Sequence, residues 1–200
     1  MGAQAFLFGK LPAHGDFVRR GLDDAGEAAW DDWASAALDA RRAALDGDFE
    51  DAHAFAPPWR FVLAPGGLSG AGWSAGTVMA SIDSADRRFV VVLGARNLDR
   101  GAALAHGAAI AGRAEDVGRR ALAEGLGADS VHGALAPLAI EPEDAGAQAY
   151  ARFLTAGPDG PGMWWTVGET DAIVRIADRL TPEDLIPALA LTETPEPNAP

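Results

Sequence analysis

The sequence predicts an α/β fold: helices packed around a mainly antiparallel (mixed) β-sheet, in a single sandwich-like domain. Three observations lead there. Aromatic or β-branched runs at 59–64 (WRFVLA), 73–82 (WSAGTVMASI) and 89–95 (FVVVLGA) follow one another through PGGLSGAG and DSADRR. Connections this short suit antiparallel neighbours, because a parallel pair needs a crossover of about a dozen residues or more. Residues 23–47 have a helical apolar stripe, and the whole chain reads strand, helix, three strands, helices, hairpin, helix, an order that layers helices on a sheet. A length of 200 residues with 48% hydrophobic content suits one core. The domain is expected over residues 1–190, with the acidic, Pro-rich residues 191–200 as a disordered tail.

The elements follow in order. AQAFLFG is Phe-rich, alternates loosely and stops at Gly9 and Pro12, as a short strand would. Asp24 is the expected N-cap of the first helix, with Glu27 three residues on and Gly47 at its end. Trp30, Trp33, Ala34, Ala37, Leu38 and Leu45 form its apolar stripe, while Asp31, Asp32 and Arg42 take other faces. The unbroken FVVVL predicts a central strand buried on both faces. Leu98 to Leu126 is an Ala-rich helix, either continuous or broken at Gly101, Gly107, Gly112 or Gly118, each about 1 kcal/mol worse than Ala in a helix interior. A further helical stretch is expected from Pro142 to Ala156. MWWTV and AIVRIA flank GETD as a hairpin, and Thr181 with Pro182 caps a short final helix that Pro187 limits. No internal repeat is visible, and the order of strands in the sheet is not readable.

Composition narrows the function. A net charge of −13 opposes nucleic-acid binding and repels an anionic membrane surface. There is no cysteine, hence no disulfide or thiolate metal site. The opening MGAQAFLFGKLP lacks the basic start of a signal peptide, and no run reaches the roughly 20 apolar residues of a membrane span. A cytoplasmic protein without membrane insertion is expected. His14, His53, His106 and His132 are scattered without metal-ligand spacing, so neither metal nor cofactor is expected. PGGLSGAG lacks the Lys-Ser/Thr ending of a phosphate loop and precedes a strand, which makes it a connecting loop.

Two sets of residues remain. His14 as base, Asp16 or Asp83 as its orienter and one of several serines would suit a small hydrolase-like or ligand-binding enzyme, although no serine sits in a G-x-S-x-G elbow. Trp59, Trp73, Trp164 and Trp165 lie at or near strand starts. Adjacent strand residues point to opposite faces, so two readings stay open: one of Trp164 and Trp165 is half exposed, as an interface anchor, or it covers a helix–sheet seam with its N–H satisfied. In SIDSADRRF, an arginine hydrogen-bonded to Asp83 would fix the turn and brace the opening loop, whose Lys10, Asp16, Arg19 and Arg20 are expected to meet Asp83, Arg87 or Arg88.

FGKLPAHGDFVRRGL, WRFVLAPG, VMASIDSADRRF and MWWTVG together resemble the TagF/ImpM family of type VI secretion-associated proteins, in order and spacing, over about residues 5–176. Gly9, Lys10, Pro12, Gly15, Asp16, Phe17 and Arg19 match the family's opening motif, and Asp83 and Arg87 match its second. Ala13 and His14 replace a small and a basic residue, Ile82 replaces Val, and Ala80 stands where Pro is common. The resemblance implies a cytoplasmic accessory protein, not an enzyme, that represses assembly or firing of the secretion machine after translation. Its implied partner is the forkhead-associated scaffold protein Fha. A PP2C-type phosphatase is fused to the domain in some bacteria; 200 residues leave no room for it here, so it is expected to act in trans. The expected signature surface comprises Lys10, His14, Asp16, Arg19, Arg20, Trp59, Asp83, Arg87, Arg88, Trp164 and Trp165.

Overall fold

A computed structural model describes residues 2–135, 162–167 and 172–188. The expected helix from Pro142 to Ala156, the GETD turn and the tail 191–200 lie outside the described residues. The strands are β1 (Gln4–Gly9), β2 (Val18–Arg20), β3 (Trp59–Leu63), β4 (Trp73–Ile82), β5 (Arg88–Leu98), β6 (Gly162–Val167) and β7 (Ala172–Ile176). They form one seven-stranded sheet in the order β2-β1-β5-β4-β3-β6-β7. Every pairing is antiparallel, so the sheet has no parallel component among the described residues. The meander β3-β4-β5 forms as its short connections require, with Trp59 opposite Val78 and Ser81 opposite Phe89. The first strand closes on β5, with Phe6 opposite Gly94, and β6 closes on β3, with Trp165 opposite Arg60.

Helices cover both faces. On one lie α1 (Asp24–Leu45), the short α2 (Phe49–Ala54) and α5 (Pro182–Leu185); on the other lie α3 (Arg100–Glu124) and α4 (Ala128–Leu135). The FVVVL run is divided between these layers: Val90 and Val92 pack toward α1, Val91 and Leu93 toward α3 and α4. That explains why its sequence does not alternate. An aromatic cluster fills the α1 side, with Trp30 stacked at 6.2 Å on Phe6 and set 5.4 Å from Phe61.

Several expectations shift. Asp23, not Asp24, caps α1, its carboxylate accepting from the Gly26 N–H at 2.8 Å. The helix stops one residue before its expected range closes, at Asp46 with φ 47°. Both β2 and α2 were invisible in the sequence because three and six residues are too few to carry a period. The third helix runs unbroken through its glycines, from an Asp99 cap to Gly125 at φ 63°. Close packing explains why glycine is present there: a Cβ on Gly118 would stand 2.6 Å from Leu93 Cδ1 and 2.6 Å from Met79 Sδ. Thr181 caps α5 as expected, accepting from the Asp184 N–H.

Candidate functional site

The opening segment and the β4–β5 turn meet at the end of the sheet. Gly9 leaves β1 at φ 119°, where a Cβ would collide with the Val90 carbonyl at 2.1 Å. Only glycine fits there. The following N–H, of Lys10, donates to Val90 O at 3.0 Å, and the Lys10 carbonyl accepts from Ser81 Oγ at 2.7 Å. These bonds place the Lys10 side chain, itself buried, against the buried carboxylate of Asp83.

Asp83 is the hub of the join. Its Oδ2 accepts from Lys10 Nζ at 2.9 Å and from Arg87 Nε at 2.7 Å; its Oδ1 accepts from the backbone N–H groups of Ala85 and Arg87 at 2.9 and 3.0 Å. Burial pushes this carboxyl up, but the Lys10 ammonium, the two backbone donors and Arg87 outweigh it and hold it well below the usual carboxylate range. Arg87 then reaches across to donate to Gly15 O at 2.6 Å, and the Ser84 N–H donates to His14 O at 2.9 Å. The loop from Lys10 to Phe17 is thus sewn to residues 83–87 by side-chain and main-chain bonds together.

The other expected site residues divide. Trp59, Trp164 and Trp165 are buried, at 2%, 0% and 0% exposure, and leave the candidate surface. Trp164 and Trp165 do point to opposite faces, Trp164 toward α1 and Trp165 toward α3; the expectation of a half-exposed indole fails because helices cover both faces. Trp59 Nε1 donates to Asp184 O at 3.0 Å, tying β3 to α5. Arg19 turns to Asp24 and Glu27, Arg20 to Asp129 at 2.7 Å, and Arg88 to Glu50 at 3.0 Å, so these arginines brace helices instead of meeting Asp83. Asp16 accepts from its neighbour Phe17 N–H at 2.8 Å and is otherwise exposed. His14 Nε2 accepts from the Ala128 N–H at 3.0 Å and so caps α4. His14, Asp16 and Asp83 therefore bond to three different neighbours, with no shared partner among the described residues.

Sequence reasoning placed Phe17 in the motif but assigned it no role. Its ring packs edge-on to Phe89 at 4.8 Å and stacks on Phe8 at 5.9 Å, with Lys10 Nζ 5.1 Å from its centroid, yet 42% of the residue is exposed. An aromatic held by two others and left open is a rigid anchor for a partner. The Arg87 side chain, 58% exposed, emerges from the same join. The signal was faint: Phe17 follows Gly-Asp in a loop, where an aromatic has no periodic reason to be.

The fold and this join define a class: an antiparallel-sheet α/β domain whose signature charges knit one loop to one hairpin. The chain belongs to the TagF family; residues 7–138 match the family model for the TagF N-terminal domain, type VI secretion system-associated. Among solved structures it is similar to that of PA0076 from Pseudomonas aeruginosa PAO1, at 25% identity and a TM-score of 0.71, with 92% of each chain covered. No curated protein matches the chain.

Proposed function

We propose that this chain is a non-catalytic, cytoplasmic regulator that represses type VI secretion after translation by binding a protein of the machine. The partner is a forkhead-associated scaffold of the Fha kind, with any PP2C-type phosphatase acting in trans. Membership of a type VI secretion-associated family supports the system. The observation that carries the binding mode is the join itself. Lys10, Asp83 and Arg87 satisfy one another, so the signature's ionic groups are engaged in holding shape, while Phe17 is the large apolar group they leave presented. His14 Nε2 is engaged in the same way, accepting from the Ala128 N–H at the start of α4.

The test is a titration of the full chain against the purified forkhead-associated scaffold of the same host. The wild-type chain is expected to bind, and Phe17→Ser to weaken binding by about tenfold or more, with the melting temperature little changed. No binding by the wild-type chain would overturn the partner. Equal binding by Phe17→Ser would overturn the surface.

A further inference from the structure

Away from the join, on the α1 side of the sheet, a cavity of about 250 Å³ opens between the start of α1, the glycine loop 66–70 and strands β4 and β5. One wall is apolar, from Phe6, Trp30 and Leu68. Two polar groups enter from the sheet. Ser74 lines the cavity, is 1% exposed, and its hydroxyl has no hydrogen-bond partner among the described residues. Its neighbour Ala75 packs toward α3, so alternation puts the Ser74 side chain on the side that Phe6 and Trp30 line. A buried hydroxyl without a partner forfeits the bonds it made to water, and native proteins rarely leave one so unless something else occupies the space.

Arg96 is the second group. Its side chain is only 11% exposed, and its contacts are long: Asp23 Oδ2 at 3.2 Å and Gly21 O at 3.5 Å. A guanidinium carries five donors, and these two contacts leave the others without a partner among the described residues, on a side chain that lines the cavity. Gly70, at φ 71°, lines the cavity beside the guanidinium, where an added Cβ would stand in van der Waals contact with Arg96 Nη2 at 3.6 Å.

We propose that this cavity binds a small organic monocarboxylate with an apolar or aromatic body, its carboxylate on Arg96 and Ser74 and its body against Phe6, Trp30 and Leu68. The volume lies at or below the lower end of ordinary ligand pockets, about 300 Å³, which is too small for a nucleotide. Asp23 limits the charge. Its carboxylate lines the cavity and already balances the Arg96 charge, so each negative charge on a ligand is opposed and one carboxylate held by direct hydrogen bonds is the most the site takes. This site is independent of the partner surface at Phe17.

The experiment titrates the full chain with benzoate, phenylacetate and hexanoate, and separately with benzyl alcohol and inorganic phosphate, following tryptophan fluorescence and melting temperature. At least one carboxylate is expected to shift both, while benzyl alcohol and phosphate bind about tenfold more weakly or not at all. Ser74→Ala and Arg96→Lys should each weaken the carboxylate by about tenfold, and Ser74→Ala should not lower the ligand-free melting temperature. No response to any carboxylate at about 10 mM, phosphate binding as tightly as benzoate, or unchanged binding by both variants would each overturn the proposal.

Discussion

At the scale of single residues, the join depends most on Asp83. Removing its carboxylate leaves the Lys10 ammonium buried without a counter-charge and releases Arg87 and two backbone donors; removing Lys10 leaves Asp83 its three other donors. Asp83→Ala is therefore expected to destabilise the fold more than Lys10→Met, in urea midpoints measured at neutral pH. The folded-state shift of Asp83 is downward. Its contribution is present above the unfolded carboxylate value, about 3.9, and is lost as pH falls below that toward the lower folded value. Asp83→Asn should flatten this acid limb. His53 acts in the same direction at higher pH. Burial lowers its pKa, against the bond between Nε2 and Ser81 O, and Nδ1 is buried with no hydrogen-bond partner among the described residues. The unfolded imidazole takes up its proton near pH 6.5 while the folded one resists, so stability falls as pH drops below about 6.5 toward the lower folded value. His53→Gln should show a shallower slope over that range.

At the scale of elements, a glycine's meaning depends on what packs against it. Gly76 and Gly94 face each other across β4 and β5. A Cβ on Gly94 would lie 2.2 Å from Ala75 O and 2.8 Å from Gly76 Cα, both backbone atoms. Gly94→Ala is expected to lower stability by about 1–3 kcal/mol or more, because the central ladder must move to admit it. Gly133 lies in α4 with nothing within 4 Å of an added Cβ, so Gly133→Ala should raise stability by roughly 0.5–1 kcal/mol. Chemical denaturation of both variants checks the contrast. Helix α1 and strand β5 were legible in the sequence because each is long enough to show its own period or its unbroken apolar run. The glycines of α3 looked like breaks because propensity is local; Leu93 and Met79, which pack where Gly118 has no side chain, lie far from it in sequence.

At the scale of the whole molecule, charge and shape work together. The chain carries a net charge of −13. If the proposed scaffold meets the chain with a basic patch, association should be fast at low salt and slow as salt rises, because rim charges act mainly on the encounter rate. The expected result is an association rate that falls by about tenfold between roughly 50 and 500 mM salt while dissociation changes little, read by stopped-flow or surface-based kinetics. A salt-independent association rate would remove electrostatic steering from the account. No helix among the described residues is long and apolar enough to cross a membrane. The sheet is covered on both faces by helices, so Trp164 and Trp165, expected as anchors, are core.

The sequence alone determined the longer elements, the antiparallel meander, the family and the pairing of Asp83 with an arginine, since each rests on short-range spacing or on a contiguous motif; β2, α2 and α4 were too short to be read. Tertiary structure decided the rest. The strand order, the burial of both adjacent tryptophans, the turning of Arg19, Arg20 and Arg88 away from Asp83, the exposure of Phe17 and the cavity holding Ser74 and Arg96 all depend on which distant segments become neighbours. The physical reason is the same in each case: a side chain's pattern in sequence says which face of its element it occupies, and only packing says what covers that face.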